Sequence, residues 1–277
     1  MAGESAAIAR DQLVADLSSL GLQPGQDLLI HSSLRRIGPI AGGAATLLAA
    51  IMDVAGPMAT LVVPTGTTWN SFTSRAFFNE TAGRNAEELA RYIATMPGFD
   101  PATTPSAGVG VFAEHVRTFP GAHRSAHPQS SFAAVGQRAR DAMSVHDLDC
   151  HLGERSPLGW LYKAGAAVVL LGVSYCVCTA FHLAEYRVAG VLPRREYRCF
   201  TASGGVRTTR TFTDIDLIDE DFELIGAALE ATTWPDAATA PRHSRVGMAP
   251  ATLLPMRTAV DFARSWLAEH RRQKHDG

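Results

Sequence analysis

The sequence predicts an α/β fold, a single domain over residues 1–277 with a mainly parallel central sheet flanked by helices. Three observations predict it. Leu28-Leu29-Ile30, Leu61-Val62-Val63 and Ala166 to Val173 are short, unbroken apolar runs, as expected of strands buried on both faces. A helical pattern lies between the first two runs, and strand–helix–strand order calls for parallel pairing. The chain has 277 residues, 46% hydrophobic and 19% charged. That is globular composition with enough length for a sizeable core, so disorder, collagen and coiled coil are excluded.

The elements follow in order. Ser5 to Leu20 carries helical periodicity (Ile8, Leu13, Leu17, Leu20) and stops at Gly21. Asp27 to Ile30 is a strand that exits into His31-Ser32-Ser33-Leu34. Thr46 to Val54 is an amphipathic helix closed by Gly56-Pro57, and Thr60 to Pro64 is the next strand. Thr65 to Glu80 reads as a polar, aromatic loop, too long for a mere connector. Asn85 to Thr95 and Gly108 to Phe119 read as helices. Ala166 to Val173 is the central strand, followed by a helix over Thr179 to Val188 with Thr179 as N-cap. Tyr197 to Phe212 reads as a hairpin turning at Ser203-Gly204-Gly205, and helices span Leu217 to Glu230 and Met256 to His270. No repeat, low-complexity tract or linker interrupts the chain.

Several function classes drop out. A net charge of −2 provides no field to hold a nucleic acid. The longest apolar run, Ala164 to Val173, is about half of what a helix needs to cross a bilayer. Met1 to Leu20 carries Glu4, Arg10, Asp11 and Asp16 without an apolar core, so it does not read as a signal peptide, and a cytoplasmic chain is expected. Cys150, Cys176, Cys178 and Cys199 give neither a disulfide framework nor a metal spacing. Cys176 and Cys178 would share one strand face, and all four read as small buried hydrophobes. There is no Gly-x-Gly-x-x-Gly, no Walker loop and no Gly-x-Ser-x-Gly elbow. Gly108 and Gly110 are expected only to let a helix pack closely.

Ligands gather at strand exits in α/β sheets, so three exits are candidates. At the first, the hydroxyls and amides of His31, Ser32, Ser33 and Leu34 could hold a phosphate or a pantetheine amide. At the second, Ala122 to Pro128, Arg124 and His127 could neutralise a nucleotide phosphate. At the third, His182 and Glu185 stand three apart and share a helix face. A carboxylate beside an imidazole orients it, fixes its tautomer and supports its protonated form. That describes a general base with its helper. With no protein nucleophile, it points to direct attack by a substrate group on a bound electrophile. The acidic run Asp214 to Glu223 is expected to be the solvated start of a helix.

At this point the residues resemble a known family, the aminoglycoside 3-N-acetyltransferases. The resemblance begins with His31-Ser32-Ser33-Leu34, Ile37-Gly38, Gly42-Gly43 and Thr60 to Thr65. It continues through Phe99-Asp100-Pro101, Thr104-Pro105, Gly108-Val109 and Phe119-Pro120-Gly121. It is most specific at Arg124-Ser125-Ala126-His127-Pro128, Ser156-Pro157, Leu170 to Val173 and Thr179-x-x-His182-Leu183-Ala184-Glu185. Arg245 to Ala249 and Val260 to Ala263 match the family's C-terminal strand and helix, so nearly the whole chain is covered. The resemblance implies an acetyl-CoA-dependent N-acetyltransferase whose α/β fold differs from the common acetyltransferase fold. His182 matches the catalytic histidine, with Glu185 beside it, and Asp100 matches an acidic position lining the site. Cofactor contacts fall to His31, Ser32, Ser33 and Leu34 and to Arg124, Ser125 and His127. No metal is called for.

The implied acceptor is an aminoglycoside, at the 3-amine. Another position such as the 2′-amine, or a smaller amine antibiotic, is the alternative, because the loop Thr65 to Phe78 (Trp69, Asn70, Phe72, Arg75) is less acidic than in members acting on large aminoglycosides. A polycationic acceptor needs carboxylates, for which Asp100, Asp147, Asp149 and Glu154 are the candidates. Two other classes stay open: a ping-pong acyltransferase using Cys176 or Cys178, and a non-catalytic CoA-binding module. The sequence leaves a homodimer open.

Overall fold

Alternation along the apolar strands sends successive side chains to opposite faces, and each face finds its own helices. The computed structural model describes residues 7–188 and 192–271. Its strands are β1 (Leu28–Ser32), β2 (Thr60–Pro64), β3 (His123–Arg124), β4 (Phe132–Gly136), β5 (Ala167–Leu171), β6 (Arg194–Ser203), β7 (Val206–Ile215), β8 (Arg242–Val246) and β9 (Ala249–Pro255). The main sheet has the order β3-β4-β2-β1-β5-β9-β8. Leu29, Val62, Val168 and Leu170 pack against the helices Pro157–Ala164, Ala180–Arg187, Phe222–Glu230 and Met256–His270. Leu28, Ile30, Leu61, Val63, Val169 and Leu171 pack against Arg10–Leu20, Gly43–Ala55 and Gly110–Arg117.

The α/β class and the parallel centre are as the sequence predicts. β1 pairs in parallel with β2 (Leu28 opposite Leu61) and with β5 (Ile30 opposite Val169). β4 joins β2, and β9 joins β5, in the opposite sense. With β3 and β8 antiparallel to those two, β3, β2, β1, β5 and β8 all run one way. β1 and β5 are therefore neighbours with the same direction, and both exit at the same edge.

Four local expectations are corrected. The first helix starts at Arg10, not Ser5; Ile8 instead bridges Ile40, its amide bonded to Pro39 O at 2.7 Å, and Ser5 and Ala6 lie outside the described residues. Within the Thr65 to Glu80 stretch, Arg75–Thr81 is helical, capped by Ser74 Oγ, which accepts from the Phe77 amide at 3.1 Å. The Cys176–Cys178 pair is not on a strand, because Tyr175–Val177 forms a single 3₁₀ turn. The last acidic run becomes helical only at Phe222, since the amide and carbonyl of Ile218 are engaged by Glu185 and Arg271.

The hairpin of β6 and β7 is longer than expected and turns at Gly204 and Gly205, both in the left-handed region (φ 55° and 79°). Side chains rarely adopt that geometry, which is why glycine occupies both positions. The hairpin stands off the main sheet and pairs instead with the long inserted loops, Ser71 with Cys199 and Phe99 with Thr201. Phe77, Met96 and Phe200 form the small core of that second layer.

Candidate active site

The exits of β1 and β5 open into one cleft of about 520 Å³. Ile30 to Arg35 form one wall, Gly108 to Ala113 a second, and Pro64, Val173, Cys176, Val177, Thr179, His182, Asp219 and Phe222 the rest. Gly108 and Gly110 have φ of 72° and 85°, so both need glycine for their backbone. Contrary to expectation they do more than ease packing: they shape the cleft at the start of the Gly110–Arg117 helix.

His182 lies on this cleft, 12% exposed, on the helix that follows β5. Its Nδ1 is 2.5 Å from Glu185 Oε2. A carboxylate there accepts the Nδ1 proton and leaves Nε2 as the basic nitrogen. The Phe222 ring packs on the imidazole at 4.6 Å between centroids. Glu185 is only 2% exposed, and its other oxygen accepts from the Ile218 amide at 3.0 Å and from Arg271 Nη1 at 2.5 Å. Arg271, just past the C-terminal helix, also grips Asp221 through two bonds of 2.7 and 2.8 Å and donates to Ile218 O at 2.7 Å. The carboxylate behind His182 is thus fixed from three directions. Arg271→Met is expected to lower the unfolding free energy by about 1.5–3 kcal/mol, the worth of bonds to charged groups left unmade, as read by urea denaturation. Unchanged stability would mean that water replaces the guanidinium without loss.

His31, Ser32, Ser33 and Leu34 all line the cleft, where the sequence reading put cofactor contacts. His31 is buried, which pulls its pKa down to about 4, so the ring is neutral. Its Nε2 lies 3.2 Å from the Thr179 hydroxyl. That contact replaces the helix cap expected of Thr179, which caps nothing with its side chain.

Arg124, Ser125 and His127 are placed differently from the expectation, and none lines the cleft. Arg124 donates to Thr104 O, to Thr65 O at 2.6 Å and to Ser131 Oγ at 3.1 Å, with Phe99 under its guanidinium. Its donors tie loops together instead of facing a ligand. Ser125 and His127 are fully buried. Ser125 Oγ meets His146 Nδ1 at 2.9 Å. His127 accepts at Nδ1 from the amides of Gln129 and Ser130 and donates from Nε2 to Leu148 O at 3.2 Å.

The expected acceptor acids are also spent elsewhere. Asp100 caps its own turn, accepting from the Ala102 amide at 2.8 Å. Arg155 holds Asp147 at 2.5 Å and Asp149 at 2.6 Å, and Arg187 holds Glu154 at 2.6 Å. None of the four lines the cleft. The run Asp214 to Glu223 is not a solvated helix start. Asp214 is buried and accepts from His151 Nδ1 at 2.8 Å and Tyr186 Oη at 2.5 Å. Asp221 serves Arg271, and Glu223 accepts from the Cys176 amide at 3.1 Å. Asp219 is the only carboxylate among the described residues lining the cleft. The sequence reading also passed over Arg35, an exposed cleft residue whose side chain has no partner among the described residues. Its signal was available: two arginines, Arg35 and Arg36, stand one residue beyond the Ser32-Ser33 hydroxyls.

Cys150, Cys178 and Cys199 are buried as expected, but Cys176 is exposed on the cleft. Burial pushes the Cys178 thiol up to about 12, which removes it as a nucleophile. Among the described residues no cluster of three His, Cys, Asp or Glu is arranged to hold a metal ion. No described helix is long and apolar enough to cross a membrane.

A histidine–glutamate pair thus lies on a cleft at the exit of parallel strands, and comparison with known proteins makes the chain an acyltransferase. The chain belongs to the aminoglycoside 3-N-acetyltransferase family, whose sequence pattern matches residues 29–268. It is 34% identical over 278 residues to aminoglycoside N(3)-acetyltransferase VII of Streptomyces paromomycinus, covering 95% of this chain and 92% of that one. The crystal structure of YokD from Bacillus subtilis superposes with a TM-score of 0.87 at 30% identity, covering 97% of this chain and 96% of that one. A structure of AAC-IIIb in binary complex with CoASH superposes with a TM-score of 0.80 at 28% identity, covering 95% and 97%.

Proposed function

We propose that this chain transfers the acetyl group of acetyl-CoA to the 3-amine of an aminoglycoside, in the cytoplasm, and thereby confers resistance to it. The observation that carries the reading is His182 on the cleft, backed by Glu185 and Arg271. An amine arrives as its ammonium and cannot attack until it loses a proton. His182 Nε2 takes that proton while Glu185 holds Nδ1–H. The amine nitrogen then attacks the thioester carbonyl, and as the C–S bond breaks the nitrogen gives up a second proton, balancing the one taken up by the departing thiolate of CoA. Holding both substrates in one cleft supplies much of the remaining acceleration.

The charges in the cleft support this division of labour. Arg35 and the start of the Gly110–Arg117 helix face the cleft together with Ser32 and Ser33, a setting suited to phosphates. Arg35→Ala is expected to raise the KM for acetyl-CoA about three- to tenfold, with the effect shrinking at high salt, while the acceptor KM stays put. A raised acceptor KM instead would assign Arg35 to the other substrate.

The direct test measures release of free thiol against a panel of aminoglycosides and smaller amines, with the product identified by mass spectrometry and the acetylated position by NMR. Acetylation of the 2′-amine or of a small amine would move the substrate within the same chemistry. CoA binding without amine-dependent thiol release would reduce the chain to a binding module. Intersecting initial-velocity lines are expected; parallel lines would bring Cys176 forward as a nucleophile.

A further inference from the structure

We infer that Asp219 is the ammonium-binding carboxylate of the cleft and that Arg75 acts as its built-in competitor, setting selectivity among acceptors by their charge. The inference deepens the acetyltransferase reading and rests on it. Asp219 is 55% exposed and is the one acid among the described cleft-lining residues. It stands one turn before Phe222, the ring that packs on His182, and its carbonyl accepts the Phe222 amide at 3.2 Å. A cation held by Asp219 is thus close to the base that would deprotonate a neighbouring amine.

The carboxylate is already partnered, weakly and from outside the cleft lining, by a guanidinium that also donates to Leu217 O at 3.4 Å. Arg75 Nη1 reaches Asp219 Oδ1 at 3.4 Å, and Arg75 is itself 54% exposed. An exposed pair at that length is easily replaced. Two other acids of the same segment are better used: Asp221 on Arg271 at 2.7 Å, and Glu223 on the Cys176 amide at 3.1 Å. Arg75 is also badly placed for its own helix. It is the first residue of Arg75–Thr81, where the dipole disfavours a cation and the first turn carries no acid of its own. What fixes it there is the hairpin, which ties down the preceding residues: the Phe72 amide donates to Arg198 O at 3.2 Å, and the Arg198 amide to Thr73 Oγ1 at 2.9 Å. The guanidinium of a rigidly held loop therefore sits where an incoming ammonium would bind. A substrate with several ammonium groups must displace it, while a less charged amine can react without doing so.

The test is a double-mutant cycle on Arg75→Gln and Asp219→Asn, using one acceptor with five amino groups and one with three. For each, KM is read by thiol release and Kd by calorimetry in the presence of CoASH. Arg75→Gln is expected to lower both constants for the five-amine acceptor about threefold or more and to leave the KM for acetyl-CoA alone. Asp219→Asn is expected to raise them, and in that background Arg75→Gln should have no effect. The proposal is overturned if Arg75→Gln changes neither constant, if its effect survives in Asp219→Asn, or if no acceptor binds. The two readings separate cleanly. If Arg75→Gln tightens acceptor binding but no variant releases thiol, the competitor role stands and the acetyl transfer falls.

Discussion

His182→Ala is expected to cut kcat by about 10²–10⁴-fold, the usual worth of a positioned base, while the KM for acetyl-CoA changes little. The imidazole is held at Nδ1 by Glu185 and on one face by Phe222, so its loss removes the group placed to take the ammonium proton. The cleft wall of Ser32, Ser33 and Arg35, proposed for the cofactor, belongs to other elements and stays in place. Glu185→Gln is expected to cost less, because the ring remains and only its orienting charge goes. Steady-state kinetics of both variants at neutral pH, with a folding check by circular dichroism, decides the matter. Activity of His182→Ala within a few fold of the parent would remove His182 as the base and leave deprotonation to bulk water.

Why the His182–Glu185 pair was readable in the sequence, and Arg271 behind it was not, is a question of chain distance. His182 and Glu185 are a local pair, and three-residue spacing on a helix brings them together whatever the rest of the chain does. Arg271 comes from 86 positions away, and Asp219 meets Arg75 across 144. Nothing in either local sequence announces those partners. The same limit explains the misplaced charges. Arg124 is a cation beside a strand exit, which is all a sequence can say; that Thr65 and Thr104 carbonyls consume its donors is a fact of loop packing. Asp147, Asp149 and Glu154 are likewise acids whose arginine partners close on them only in the fold.

The sheet was legible to the same degree. β1, β2 and β5 are buried on both faces and so read as unbroken apolar runs. β4 is equally buried, but in Phe132 to Gly136 only Phe132 and Val135 are strand formers, and two alanines and a glycine dilute the pattern. β9 alternates and opens directly into a helix with no turn residue between, so its apolar residues merge with the helical pattern that follows. The hairpin announced itself through Gly204-Gly205. Its docking onto Ser71 and Phe99 did not, because those bridges join segments about a hundred residues or more apart.

Stability is expected to fall steeply as the pH drops from about 6.5 toward about 4, because several histidines are buried without a proton. Burial pulls His31 down to about 4 and His146 to about 3, and it holds His127 well below its ordinary value, aided by its neighbours His146 and His151. These last three rings pack together, His127 lying 4.7 Å from His146 and 4.5 Å from His151 between centroids. The unfolded chain takes up protons at these sites near pH 6.5 while the native chain refuses them. The unfolded state therefore binds more protons throughout this window, and stability rises with pH across it. Each such histidine contributes about 1.4 kcal/mol per pH unit, so the three together approach about 4. Asp214 adds nothing here: its carboxyl, buried but held below its ordinary value by His151 and Tyr186, loses its contribution only at more acid pH. Urea unfolding at pH 7, 6 and 5 measures the slope, and His146→Gln should flatten it by about one proton while leaving the fold intact at pH 7. A stability that stays level between pH 6.5 and 4.5 would show that these rings accept protons in the folded state, and that the packed histidine cluster is open to water.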